Sequence, residues 1–274
     1  MELALHPPLA DLTPLAHPAL LPALMAVAFL YATVGHAGAS GYIAVLALAG
    51  LTPPLIKPLA LLLNTAVAAV GCWQFARAGH LPWRRMWPVL PLAVPAAFLG
   101  GWWSLPAQGL AALVGLVLLL SAWRLGQTPH DPPQLRPVAP WPLALGGGAI
   151  GLLAGLTGTG GGVFLSPLLL LARWCTSREA AATASGFILL NSLAGLAGVA
   201  LARPATVAAV MAPPLPQMLL AVLLAGGLGA RLGSRHWPVA WIRRCLAGVL
   251  VLAALKLLDP LAWLPGPLPG SGLR

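Results

Sequence analysis

The stretch GLLAGLTGTGGGVFLSPLLLL, residues 151–171, decides how the chain folds. It lies inside an apolar run from 141 to 172, which as one straight helix would reach more than ~45 Å at 1.5 Å per residue. The hydrocarbon core of a bilayer is only ~30 Å thick. Gly155, Gly158, Gly160, Gly161 and Gly162 crowd its middle, with Thr157 and Thr159 between them. Successive glycines favour non-helical backbone, so the spacing predicts a hairpin broken at that cluster. A second overlong run, 20 to 50, carries Gly35, His36, Gly38, Ser40 and Gly41 at its middle. The same break is expected there.

Working outward, the remaining apolar stretches predict spans at 58–76, 87–103, 109–123, 180–202, 214–230 and 239–258. The chain of 274 residues is 59% hydrophobic and 7% charged, against about 25% charged in soluble domains. The bilayer is therefore the expected solvent, and the fold class an all-α integral membrane protein. The net charge of +10 comes from 15 basic and five acidic residues, but the arginines sit in short connectors between spans, where membrane topology accounts for them. No nucleic acid is implied. Cys72, Cys175 and Cys245 are widely spaced without a CxxC pattern, which calls for neither a disulfide framework nor a metal. The first 21 residues hold no Lys or Arg, so they lack the charged region of a cleavable signal and the first span is expected to be retained.

The two long runs open an internal repeat. Each is followed by a helix start, at Thr52-Pro53-Pro54 and at the Thr176-x-x-Glu179 capping box. Asn64-Thr65 is matched by Asn191-Ser192 at an offset of 127, and Phe98-Leu99-Gly100-Gly101 is echoed by Leu224-Ala225-Gly226-Gly227. Equivalent connectors carry opposite charge bias. Residues 77–86 hold Arg77, Arg84 and Arg85 where 203–213 hold Arg203 alone, and 104–108 are uncharged where 231–244 hold Arg231, Arg235, Arg243 and Arg244. Two inverted repeats are expected, each a broken hairpin followed by three transmembrane helices, with 77–86, 124–140, 173–178 and 231–244 on the cytoplasmic side. The expected divisions are an N-terminal segment (1–19), repeat 1 (20–125), a cytoplasmic linker (126–140), repeat 2 (141–258) and a tail (259–274), with both termini external.

Paired interrupted helices in inverted repeats point to a midplane substrate site. A helix resuming after Gly41 or Gly162 presents free N–H groups and a positive dipole end, which suit an anion. Ser40, His36, Thr157 and Thr159 add donors, and Asn64, Thr65, Asn191 and Ser192 lie in the following helices. Close helix crossing for the glycines, backbone capping for the hydroxyls and interhelical bonding for the asparagines are the structural alternatives. Glu2, Asp11, Asp131, Glu179 and Asp259 all fall outside the spans, which disfavours a cationic substrate. Arg77 and Arg173 sit at span ends, where long side chains snorkel. Gly38-Ala39-Ser40-Gly41 also matches a GxSG protease nucleophile, yet only adjacent His36 is available as a membrane-buried base, so no enzyme is expected.

The hairpin GLTGTGGGVFLSPLLLL, the capped helix TASGFILLNSLAGLAG and the degenerate earlier copy together resemble the TauE/SafE family of sulfite exporters, over about residues 25–256. The resemblance implies a bacterial inner-membrane carrier that moves sulfite, thiosulfate or an organosulfonate, usually outward. It places the family's glycine motif on Gly155, Gly158, Gly160, Gly161 and Gly162 and its helix asparagine on Asn191, with Gly35, Gly38, Gly41 and Asn64 as first-half equivalents. The implied partners are a small anion, the lipid bilayer and a coupling proton or sodium ion. Neither cofactor nor metal is called for.

Overall fold

The computed structural model describes residues 15, 17–103, 119, 122, 123, 126, 127, 131, 134–211 and 213–258. Most of the expected span at 109–123, residues 128–130, 132 and 133 of the linker, most of the N-terminal segment and the C-terminal tail lie outside the described residues. The rest is helical, without strands among the described residues. The helices, numbered over those residues, are α1 (Leu20–Thr33), α2 (Ala39–Leu48), α3 (Pro53–Arg77), α4 (Trp83–Met86), α5 (Leu90–Trp102), α6 (Pro140–Thr157), α7 (Gly162–Leu171), α8 (Ser177–Ala202), α9 (Pro204–Val210), α10 (Leu215–Arg231) and α11 (Val239–Leu258). Among the described residues, four helical stretches are long and apolar enough to cross a bilayer: Pro54–Arg77, Pro140–Thr157, Ser177–Ala202 and Leu215–His236.

Both overlong runs are broken at their glycines. The interruptions are 34–38 and 158–161, and the helices that follow, α2 and α7, are 10 residues each, about 15 Å and half a membrane. Each folds back on its partner. Gly41 of α2 lies against Val27 and Tyr31 of α1, while Gly161 packs on Ile150 and Ala154 of α6, and Leu168 of α7 reaches Gly146. The two short helices also end alike. After α2 the N–H of Leu51 bonds Leu46 O around left-handed Gly50, and after α7 the N–H of Trp174 bonds Leu169 O around Arg173, at φ 59°. This is the Schellman termination, in which a left-handed residue lets two late carbonyls find donors.

The next helices start differently. Thr176 caps α8 as expected: its hydroxyl accepts from Glu179 N–H, and the Glu179 carboxylate accepts from Thr176 N–H at 2.9 Å. Thr52 does not cap α3 through its side chain. Pro53 and Pro54 occupy the first two helical positions and have no N–H to offer, and Leu55 N–H already bonds the Thr52 carbonyl at 3.0 Å.

Packing exchanges elements between the two halves. Helix α5 lies against α6 and α8, α10 lies against α1 and α3, and the long helices α3 and α8 pack on each other at the centre. Bare backbone makes these crossings possible. A methyl on Gly101 would overlap the Gly195 carbonyl, one on Gly155 that of Ala97, and one on Gly229 that of Phe29. The polar–apolar arrangement suits a hydrocarbon solvent: His36, Asn64, Ser166, Asn191 and Ser192 are buried, whereas Leu48, Trp141 and Leu201 are exposed.

The connectors at 77–86, 124–140, 173–178 and 231–244 are tied to one another. His80 Nε2 is hydrogen-bonded to Ser234 O, Arg136 N–H donates to Arg173 O, and Arg178 donates to Trp237 O. Asp131 accepts from Ser177 N–H and from Arg243, the latter at 3.1 Å.

Candidate functional site

The first break opens where α1 stops. Gly35, at φ 75°, closes a Schellman turn in which His36 N–H bonds Tyr31 O. Gly38, at φ 102°, starts α2, whose first turn already contains Ser40 and Gly41. In the second break Gly158, Gly160 and Gly161 all take positive φ, and Gly162 is the first residue of α7. A side chain disfavours such backbone by about 1–2 kcal/mol per residue, which explains the glycine clusters.

The two breaks face each other. His36 Nε2 and Ser166 Oγ are hydrogen-bonded at 2.8 Å across 130 residues of sequence. A methyl on Gly162 would come within 3.3 Å of the His36 ring. His36, Ala37, Gly38, Ala39, Ser40 and Thr159 line one narrow cleft, closed by Tyr31, Val163 and Ile188, with room for little more than a water. Asn64 braces it from α3. Its carbonyl accepts from Ala39 N–H at 3.0 Å, an early donor of α2, and its amide donates to Ser192 Oγ of α8 at 2.9 Å. Gly160 fits beneath that pair: a Cβ there would sit 2.8 Å from Ser192 Oγ and would overlap the Asn64 amide.

Other expected residues are placed apart from the cleft lining or engaged locally. Thr65 donates to Leu61 O within its own helix, and Thr157 donates to Leu153 O while sharing a 2.9 Å bond with Thr159. Gly158 abuts Lys57, and Gly41 abuts Val27. Asn64 and Asn191 lie at different distances from the starts of their helices. Helices α2 and α7 begin 123 residues apart and α3 and α8 begin 124 apart, so an offset of 127 puts Asn191 nearly a turn further along its helix. The consequence is chemical: Asn64 is satisfied, whereas neither Asn191 side-chain atom has a partner among the described residues, although the residue is 1% exposed. His36 Nδ1 and the Tyr42 hydroxyl are also buried without partners.

Three residues at the breaks were not singled out from the sequence. Tyr31 bonds Ser40 Oγ at 3.0 Å, and Tyr42 stacks over Gly38. They are the chain's two tyrosines and they flank the first glycine cluster, a signal that was available. Lys57 packs its stem on Gly158 and donates to Gly100 O and Gly101 O at 3.1 and 3.4 Å, partnering carbonyls in the last turn of α5. A cation one turn into an apolar helix marks it in the sequence.

Residues 20–257 match the sulfite exporter TauE/SafE family. The chain belongs to the TauE/SafE family. Its likeness to a curated relative agrees: it is 40% identical over 247 residues, 86% of this chain and 96% of the other, to a Sinorhizobium fredii (strain NBRC 101917 / NGR234) protein named "Probable membrane transporter protein y4hK". No solved structure matches. Membership in the TauE/SafE family makes this a multi-pass membrane transporter, with a small-molecule substrate and the bilayer as its surroundings. Transport, rather than an enzymatic use of Ser40, is what these names indicate.

Proposed function

We propose that this transporter is a carrier of a small oxyanion, with sulfite, thiosulfate or an organosulfonate as the substrate class, and that it exports its substrate by alternating access. The observation that carries the reading is the single cleft lined from both breaks. Interrupted helices meeting at one point offer backbone donors and helix N-termini to an anion. The site comprises the glycines of both breaks with His36, Ser40, Thr159, Asn64 and Ser192, and Asn191 supplies a free amide from α8. The reciprocal packing of α5 and α10 supports two repeats related by inversion. The linked basic connectors support one cytoplasmic face in a bacterial inner membrane.

The cleft as it stands is too tight for an oxyanion, so substrate must enter by separation of the hairpins. This favours a carrier over an open pore. Counterflow in proteoliposomes tests the proposal: vesicles preloaded with sulfite, thiosulfate or an alkylsulfonate are diluted into tracer of the same anion. Saturable accumulation above equilibrium is expected for one of the three. Linear, unsaturable flux would make the protein a channel, and no flux for any would remove the substrate class.

A further inference from the structure

Away from the breaks, at the far ends of α3 and α10, a cavity of about 320 Å³ is lined by Trp73, Gln74, Arg77, Arg231 and Arg235. Its α3 residues lie about 14–20 Å along the helix from Asn64. Gln74 ties its walls together by donating to Gly227 O at 2.7 Å, and the Arg77 guanidinium sits 4.8 Å over the Trp73 ring, a stacking that fixes its direction. Two helix C-termini converge here, each worth about half a negative charge, against three guanidinium groups. About two positive charges are left over. The acids among the described residues are engaged elsewhere, Asp131 at Arg243 and Glu179 in the α8 capping box. No acid among the described residues lines the cavity, so its guanidinium groups attract an anion.

The approach to the cavity is apolar. Leu220, Leu224 and Leu228 are 59%, 63% and 55% exposed and follow one another at helical spacing up to Arg231, while Trp73 is 57% exposed on the opposite wall. Between them Val70 and Gly227 lie close enough that a Cβ on the glycine would make ordinary contact, so α3 and α10 meet along a seam with apolar side chains on either side. An acyl chain laid along that seam would place a phosphate at its end against the arginines, at the depth where tryptophan favours the interface. We propose that this cavity binds the phosphate headgroup of an anionic membrane lipid. Basic pockets between spans on the cytoplasmic side recognise such headgroups, and guanidinium forks match phosphate oxygens. A free oxyanion shares the headgroup chemistry but has no use for the leucine stripe.

Native mass spectrometry of the full chain in detergent, titrated with cardiolipin, phosphatidylglycerol or phosphatidylcholine, tests this. An anionic lipid should bind first and phosphatidylcholine at least ~10-fold more weakly. Replacing all three arginines (Arg77→Gln, Arg231→Gln, Arg235→Gln) should weaken the tightest anionic lipid on the order of 100-fold, and Arg235→Gln alone about fivefold. The single variant and the wild-type titration remain informative if the triple variant does not fold. Equal binding of neutral and anionic lipid, or unchanged binding by Arg235→Gln, would overturn the proposal. So would displacement of the lipid from wild-type protein by millimolar inorganic phosphate or sulfite, which would mark a free-anion site.

Discussion

Replacing Gly160 by alanine tests the geometry of the breaks most directly. The residue sits at φ 72°, and an added Cβ would overlap the Asn64 amide while lying 2.8 Å from Ser192 Oγ and 2.9 Å from Ile188 Cγ2. Left-handed backbone alone costs an alanine about 1 kcal/mol. Forcing a methyl into a filled site adds about 1–3 kcal/mol, and losing the Asn64–Ser192 bond about 0.6 kcal/mol more, a typical value for such bonds in membranes. The total is about 2.5–4.5 kcal/mol. Gly50 is a matched control, at φ 88° with nothing within 4 Å of the added Cβ, so Gly50→Ala should cost only the backbone ~1 kcal/mol. Reversible unfolding of both variants in mixed detergent micelles should show a gap of about 2 kcal/mol or more. Adding Ser192→Ala to Gly160→Ala frees space beside the methyl and should recover part of the loss, a coupling that a double-mutant cycle reads. If Gly160→Ala is as mild as Gly50→Ala, or if the double variant is simply additive, then the tight seat beneath Asn64 and Ser192 is wrong.

Three other substitutions probe separate features. Asn191→Leu removes a buried amide that has no partner among the described residues, so it should stabilise the protein by about 1–3 kcal/mol while transport in proteoliposomes falls about tenfold, the worth of one ~1.4 kcal/mol contact; a destabilised variant would show that the amide is structural. Lys57→Met leaves the Gly100 and Gly101 carbonyls without their donor and should cost about 1.5–3 kcal/mol, the range for hydrogen bonds to charged groups, read as a lower melting temperature. Arg173→Gly relieves a side chain at φ 59° and should raise the melting temperature through a gain of about 1 kcal/mol; an unchanged value would mean that the arginine compensates elsewhere.

The sequence by itself determined the helical membrane class, the two broken hairpins and the capped start of α8, because each follows from local chemistry. An apolar run of more than 30 residues does not fit a ~30 Å slab as one helix, glycine clusters surrender helix first, and Thr176 meets Glu179 within a single turn. Local reading failed where neighbours decide. Thr52 reads as a cap until the two prolines after it remove the donors. The asparagines read as a matched pair at 127 residues, and nothing local signals that, among the described residues, one amide is bonded and the other has no partner. Only the tertiary structure brought His36 to Ser166, Asn64 to Ser192 and Lys57 to the end of α5, and only it gathered Arg77, Arg231 and Arg235 around one cavity. These contacts join residues from 43 to more than 150 positions apart, and such partners are chosen by which helices cross. Those crossings depend on backbone-to-backbone approach at glycines such as Gly101 and Gly155, a property of two surfaces at once that no single stretch of sequence contains.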